Sequence, residues 1–166
     1  MHLGLADHFG WAVAVTVSPD GALVDRRRIE LVEDGVVQAP VHYSRGELGA
    51  VELAALVESV RGSIRRATAA AFEQLPAGIR SVSLRTWSPD FPTDIEVQMR
   101  VPWEARADAV MYRQEVAEVA RARGWDVHLH DAKHLPAVDL PNPGPPWTKD
   151  HRVAFAAAVV AASTYL

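Results

Sequence analysis

The strongest constraint on the fold is an apolar, strand-like run over residues 3–17 that contains a single carboxylate, Asp7. Burying an unpaired carboxylate costs several kcal/mol, so an Asp in such a run lies at a strand end, in a turn, or against a cation or ligand. Residues 8–10 either separate two short strands or form a bulge within one long strand. In a turn, Asp7 would accept backbone N–H bonds and Gly10 would adopt a conformation that bulkier residues resist. The sequence therefore predicts β structure with Asp7 beside a break in it.

The first 43 residues predict an antiparallel meander. A strong turn signal, Ser-Pro-Asp-Gly, occupies residues 18–21, and a partner strand is predicted over 22–32. A second turn at residues 33–35 precedes a third predicted strand over 36–43, which Pro40 would restrict to an edge of the sheet.

Helices and strands alternate in the rest of the chain. Ser44 and Glu47 have capping-box spacing and predict a helix that runs to about Leu75. Residues 95–101 alternate in polarity and predict a short extra strand or an extended connection. Five prolines predict an irregular loop over 135–147. The remaining predicted elements are a strand over 79–87, a helix over 103–123, a strand over 125–130 and a final helix over 149–164 that Thr148 caps.

Composition narrows the classes of protein to which the chain can belong. Its 166 residues predict a single domain over 1–166, and the absence of cysteine excludes disulfides and thiolate metal sites, so we expect a cytoplasmic protein. We see no signal peptide or membrane span and expect no membrane partner. A net charge of −4 repels polyanions, so nucleic-acid binding would need a local basic patch or bridging metal ions. Arginine outnumbers lysine 15 to 2, which is typical of a GC-rich genome.

Three antiparallel strands followed by helix, strand, helix, strand and helix predict an α/β fold with a mixed five-stranded sheet and helices on both faces. This order resembles the ribonuclease H-like superfamily, which includes RuvC-type resolvases and many transposases, over nearly the whole chain. The resemblance implies a divalent-metal-dependent nuclease or resolvase that cleaves nucleic acid phosphodiesters. The alternative is a non-catalytic relative that serves as a binding or assembly module.

The resemblance also implies a set of acidic ligands. Members of the superfamily hold two divalent ions with an Asp on the first strand, an acidic residue at the end of the fourth strand and an Asp near the start of the last helix. Asp7 corresponds to the first of these and Asp150 to the last. The predicted fourth strand has no carboxylate, which leaves Asp90 beyond it, or Glu52 or Glu58 in the first long helix. Mg²⁺ or Mn²⁺ is the implied cofactor, because hard carboxylate oxygens suit these ions.

Histidines supply further candidates. His8 and His151 adjoin the two best-placed Asp residues and would transfer protons if Asp7 and Asp150 converge. A separate zinc or manganese site is predicted where two histidines share a strand face and an acid follows, at His128, His130 and Asp131, with His134 nearby.

Each of these residues has a simpler structural interpretation. The helix dipole alone favours an acidic residue such as Asp150 in a first turn, and Asp90 in Ser-Pro-Asp is an ordinary turn residue. The missing acid on the fourth strand and the acidic net charge favour the non-catalytic module. Trp87, Trp103 and Trp147 lie beside proline-rich loops and would line either a pocket or a homodimer interface.

Overall fold

The chain builds one mixed sheet. The computed structural model describes residues 1–44 and 46–165, in which the strands are β1 (His2–Asp7), β2 (Trp11–Val17), β3 (Leu23–Glu30), β4 (Ser81–Arg85) and β5 (Asp126–His130). The spatial order of the strands is β3-β2-β1-β4-β5. β1 is antiparallel to β2, and β2 is antiparallel to β3, whereas β1 with β4 and β4 with β5 are parallel pairs. The predicted α/β class and mixed five-stranded sheet are confirmed.

Helices cover both faces of the sheet. They are α1 (Pro40–Tyr43), α2 (Ala50–Glu73), α3 (Ile95–Gln98), α4 (Glu104–Ala122) and α5 (Lys149–Ser163). Ala12 and Ala14 of β2 belong to the core that contains α2 and α4, while Val13 and Val15 belong to a second core against α5. Because successive strand residues point to opposite faces, α2 and α4 lie on one face and α5 on the other.

Helix α5 packs directly on the central strand β1 at Gly4. A Cβ atom added to Gly4 would lie 1.8 Å from the carbonyl oxygen of Ala154, so no larger residue fits without displacing the helix. This close approach places the amino end of α5 beside the carboxyl end of β1.

The break after Asp7 is a tight hairpin, which decides between the two arrangements left open by the sequence. The His8 backbone N–H donates to the Trp11 carbonyl at 2.9 Å, and Gly10 has a φ of 85°, a conformation that favours glycine. β1 and β2 are therefore separate strands, and Asp7 is the last residue of β1.

The predicted strand over 36–43 is wrong, because residues 40–43 form α1. Pro40 occupies the first turn, where its missing N–H costs nothing, and the Asp108 carboxylate of α4 accepts the backbone N–H groups of Val41 and His42 at 3.0 and 2.9 Å. A residue more than sixty positions away thus caps this helix, and that partner is invisible to local sequence patterns.

Two other predictions also fail locally. Residues 95–98 form α3 rather than a strand or an extended connection, because the Asp94 side chain accepts the N–H groups of Glu96 and Val97 as an N-cap. The first long helix begins at Ala50 rather than after Ser44, and the Glu52 carboxylate accepts the Gly49 N–H at 2.8 Å. Arg45, which the earlier predicted start would have included, lies outside the described residues.

Among the described residues, no helix has the length and apolarity required to span a membrane.

Candidate functional site

The residues singled out at the two ends of the chain meet at one cleft. A cleft of about 280 Å³ opens at the carboxyl end of β1, next to the first turn of α5. Its polar and charged lining consists of Asp7, His8, Arg85, His130, Lys133, Lys149 and Asp150. Asp7 and Asp150 therefore share a cleft although 142 residues lie between them in the chain.

The Asp7 carboxylate is held by an arginine. Arg113 of α4 donates from Nε to Asp7 Oδ2 at 2.8 Å, and the two side chains are only 11% and 9% exposed. The same guanidinium lies 3.4 Å from the Thr86 carbonyl. A well-oriented ion pair with so little solvent contact neutralises the carboxylate more fully than a surface pair would.

The Asp150 carboxylate has its own partner on the other side of the cleft. His8 donates from Nε2 to Asp150 Oδ2 at 3.0 Å, and the side chains are 41% and 39% exposed. The His8 ring stacks on Trp11 with centroids 4.1 Å apart, and the Arg28 guanidinium lies 4.2 Å from the centroid of the same indole. The stack fixes the imidazole in the orientation that reaches Asp150.

The strand period explains why the two carboxylates have different partners. Leu3 and Leu5 point into the core under α2 and α4, and Asp7 has the same parity, so its side chain points towards α4. Asp150 begins α5, which covers the opposite face. The two acids reach the cleft from opposite faces of the sheet.

His130 brings a partly buried imidazole to the cleft. Its Nδ1 atom is buried and lacks a hydrogen-bond partner among the described residues. Burial, followed by the charge of Arg85, lowers the pKa of His130 below the usual 6.5, whereas the charge of Asp7 acts in the opposite direction. His130 therefore takes up a proton only at a lower pH than an ordinary histidine side chain does.

Three cations line the cleft, and one of them, Lys133, lies near enough to the Asp131 carboxylate for its charge to lower the pKa of Asp131. Within the described chain, the side chains of Arg85, Lys133 and Lys149 are exposed and form no ion pair or hydrogen bond. The protein has only two lysines, and both lie here. With Asp7 neutralised by Arg113, the cleft has a positive excess although the whole protein is acidic.

The other predicted site residues lie elsewhere. Asp90 is exposed in the turn after β4, and neither it nor Glu52 or Glu58 lines the cleft. Glu52 accepts the Gly49 N–H, and Glu58 pairs with Arg65 at 2.9 Å. All three carboxylates are thus separate from Asp7.

His151 is adjacent to Asp150 in the chain but does not line the cleft. Its Nδ1 atom lies 2.8 Å from the Thr148 hydroxyl in a capping box, and its ring packs near Trp147. Burial lowers the pKa of His151, with a further contribution from the charge of Arg26. This placement gives His151 a structural role at the start of α5.

The second predicted metal set is also divided. His128 Nε2 lies 3.2 Å from the Tyr165 hydroxyl, whereas His130 faces the cleft and Asp131 binds the His134 ring at 2.7 Å. The described residues contain no group of three or more His, Asp or Glu side chains that could hold a metal ion. In the cleft itself Asp7 already accepts from the Arg113 guanidinium and Asp150 from the His8 ring, so the donor set as arranged does not fit a pair of divalent ions.

Sequence reasoning missed the cations that dominate the site, above all Arg113 and Arg85. The chain has 15 arginines, and nothing local distinguishes these two from the others. The two lysines carried a signal, because their rarity in an arginine-rich chain sets them apart.

Comparisons with models of protein families, with curated proteins and with solved structures found no match to this chain. The argument for function therefore depends on the geometry of the cleft.

Proposed function

We propose that this protein is a metal-free binding module for a phosphate-bearing ligand, which it holds in the cleft at the carboxyl end of β1. The observation that supports this proposal is the convergence of Arg85, Lys133 and Lys149 on one concave site, since the side chains of these three cations form no ion pair or hydrogen bond in the described chain.

Electrostatics favours an anion over a cation at this position. Arg85, Lys133 and Lys149 bring three positive charges to the cleft, against the negative charges of Asp150 and of Asp131 near Lys133, while the Asp7 charge is offset by Arg113. Unpaired like charges held around a cleft repel one another, and a multivalent anion relieves that repulsion while it accepts charge-assisted hydrogen bonds. The amino end of α5 adds the partial positive charge of the helix dipole. Phosphate, with its several acceptor oxygens, suits this arrangement.

The fold is part of the proposal. We propose a ribonuclease H-like domain in its non-catalytic form, supported by the antiparallel β1–β3 meander, the parallel addition of β4 and β5, and helices on both faces. The lack of a carboxylate in β4 and the Arg113 guanidinium on Asp7 support a role without metal.

The two lysines provide a direct test. Reductive methylation with ¹³C-formaldehyde labels Lys133, Lys149 and the terminal amine, so a carbon–proton NMR spectrum has only two lysine signals. We expect inorganic phosphate or pyrophosphate to shift both signals in a saturable manner and chloride at equal ionic strength to leave them in place. Shifts that follow ionic strength alone would contradict a specific site.

A matched pair of variants tests the contribution of Arg85. Arg80 and Arg85 flank the two ends of β4 and both are exposed, but only Arg85 lines the cleft. We expect Arg85→Met to weaken phosphate binding about tenfold, the lower end for a charge-assisted hydrogen bond at an exposed site. Arg80→Met should bind like the wild type. Equal effects of the two substitutions would show that net charge, rather than the cleft, determines binding.

A second candidate function is the divalent-metal-dependent nuclease or resolvase, which is favoured by the presence of Asp7 and Asp150 in the same cleft. This function requires that Mg²⁺ or Mn²⁺ raise the melting temperature of the wild type and not that of Asp7→Asn. An unchanged melting curve at millimolar metal, together with saturable phosphate binding in the presence of a chelator, supports the metal-free module instead.

A further inference from the structure

A second, larger cleft adjoins the first. Its volume is about 670 Å³, and it lies between the segment that follows β4 and the first turns of α4. Arg85, Ala132 and Lys133 line both clefts, so the two spaces meet at the cations proposed to bind phosphate. The Arg113–Asp7 ion pair stands at the junction, because Arg113 lines the larger cleft and Asp7 the smaller one.

The walls of the larger cleft differ from those of the smaller one. Its apolar part comes from one indole, one phenyl ring and aliphatic side chains of α4, namely Trp87, Phe91, Ala105, Ala109 and Val110. The Trp87 side chain is half-buried against the main core, which restricts the movement of its ring. Arg106 adds another positive charge at the rim. A held aromatic ring beside cations is suited to a planar group that is linked to an anion.

The size of the combined site limits the ligand. Small-molecule sites commonly occupy about 300–1,000 Å³ and have mostly apolar walls with a few polar groups that set orientation. The smaller cleft, at about 280 Å³, has room for a phosphate group. The larger cleft has room for a ring system and its linker.

From this continuity we infer that the ligand is a nucleoside 5′-monophosphate, whose phosphate contacts Arg85, Lys133 and Lys149 while its base stacks on Trp87. The inference depends on the proposed function, because the phosphate subsite positions the rest of the ligand. The inference adds the chemical class of that ligand. It also adds a second subsite, which binds through apolar and aromatic contacts, whereas the phosphate subsite binds through charge.

A comparison of the affinities of the wild-type protein for three anions tests the inference without any substitution. We would measure dissociation constants for inorganic phosphate, ribose 5-phosphate and adenosine 5′-monophosphate at one ionic strength by calorimetry. Stacking of a base on an aromatic side chain predicts that the nucleotide binds roughly 5- to 150-fold more tightly than ribose 5-phosphate. Quenching of tryptophan fluorescence should accompany nucleotide binding and be absent with inorganic phosphate.

A substitution then assigns the gain to one ring. Trp87→Leu should remove the advantage of the nucleotide while leaving the affinity for inorganic phosphate unchanged, and Trp87→Phe should retain part of that advantage. The control is Trp147→Leu, since Trp147 packs on Phe155 and lines neither cleft. Circular dichroism spectra of each variant verify folding before titration.

The outcomes separate the inference from the proposed function. If phosphate binds but the nucleotide binds no more tightly than ribose 5-phosphate, the nucleotide assignment is overturned and the anion cleft stands. If none of the three anions binds, the proposed function fails, and the inference fails with it. If an oligothymidine without terminal phosphate displaces the nucleotide at lower concentration, the site accommodates a strand and the mononucleotide assignment is overturned.

Discussion

Replacing Arg113 by methionine should destabilise the protein more than substitution of any exposed residue that lines the cleft. The substitution preserves much of the side-chain volume but leaves the Asp7 carboxylate, which is 9% exposed, without its cation. It also removes the guanidinium that lies 3.4 Å from the Thr86 carbonyl. The opposite substitution, Asp7→Asn, keeps an acceptor near Arg113 and should cost less.

The magnitude follows from the burial of the pair. Breaking a buried ion pair by removing one partner costs about 3–5 kcal/mol. Because Asp7 and Arg113 retain a small solvent contact, at 9% and 11% exposure, we expect about 3 kcal/mol for Arg113→Met, near the lower end of that range. For a chain of this length each kcal/mol corresponds to about 2–4 °C, so the melting temperature should fall by about 6–12 °C.

The assay is a double-mutant cycle in urea at neutral pH, with wild type, Arg113→Met, Asp7→Asn and the double variant. If the pair acts as a unit, the double variant should be more stable than the sum of the single effects predicts, with a coupling of at least about 1 kcal/mol. Millimolar Mg²⁺ should leave the wild-type midpoint unchanged, because the guanidinium already neutralises Asp7.

Two results would refute this reasoning. If Arg113→Met costs less than about 1 kcal/mol, the pair behaves like an ordinary surface ion pair. If the two substitutions are additive, Arg113 and Asp7 contribute independently and the proposed neutralisation of Asp7 is wrong.

Three further predictions concern other parts of the fold. Burial lowers the pKa of His2 and His130 below 6.5, so as the pH falls through 6.5 the unfolded chain takes up protons that the folded protein refuses, and the free energy of unfolding should decrease. Gly4→Ala should cost about 3 kcal/mol or more in urea denaturation, because the added Cβ would lie 1.8 Å from the Ala154 oxygen. Arg26→Ala should cost about 1.5–3 kcal/mol and speed proteolysis of the proline-rich loop, since its guanidinium donates to carbonyls of residues 143, 144 and 146 at 2.7–3.2 Å.

Each of these three has a control. His2→Asn should flatten the dependence of stability on pH, and an unchanged slope would show that His2 does not contribute. Gly62→Ala lies within α2, and its Cβ would meet only the flexible ends of the Arg66 and Arg65 side chains, at 3.3 and 3.9 Å, so it should stabilise the helix by up to about 1 kcal/mol. Arg121→Ala removes an exposed arginine paired only within its own helix and should leave the loop as resistant to protease as in the wild type.

Local patterns were sufficient for most of the fold. Alternating apolar residues, the turn at residues 18–21 and helical periodicity predicted β structure over 3–17, strands over 22–32, 79–87 and 125–130, and three long helices. The division of 3–17 into β1 and β2 was left open, and the first long helix begins at Ala50 rather than after Ser44. Two errors, at residues 95–98 and at the start of α2, lie where a nearby acidic side chain caps a helix, and the third occurred where a distant side chain determined the conformation. Residues 40–43 are helical because Asp108 of α4 caps them, and a single sequence carries no local signal for that contact.

Less of the candidate site than of the fold could be predicted from the sequence. Asp7 and Asp150 line the same cleft, which they reach from opposite faces of the sheet. The partners of these acids, Arg113 and His8, were not predicted as partners, and they determine how much charge each carboxylate presents. Whether the cleft serves a metal or an anion depends on those partners.

The alternation of apolar residues with turn and helix signals determined by itself a mixed sheet with helices on both faces, because side-chain burial follows the period of each element. Only the tertiary structure decided the charge of the cleft. Nothing in the neighbouring sequence shows which of the arginines will form an ion pair. Such a pair requires that two particular side chains, here 106 residues apart in the chain, come into contact. The packing of α4 on the face of β1 to which Asp7 points brings about that encounter.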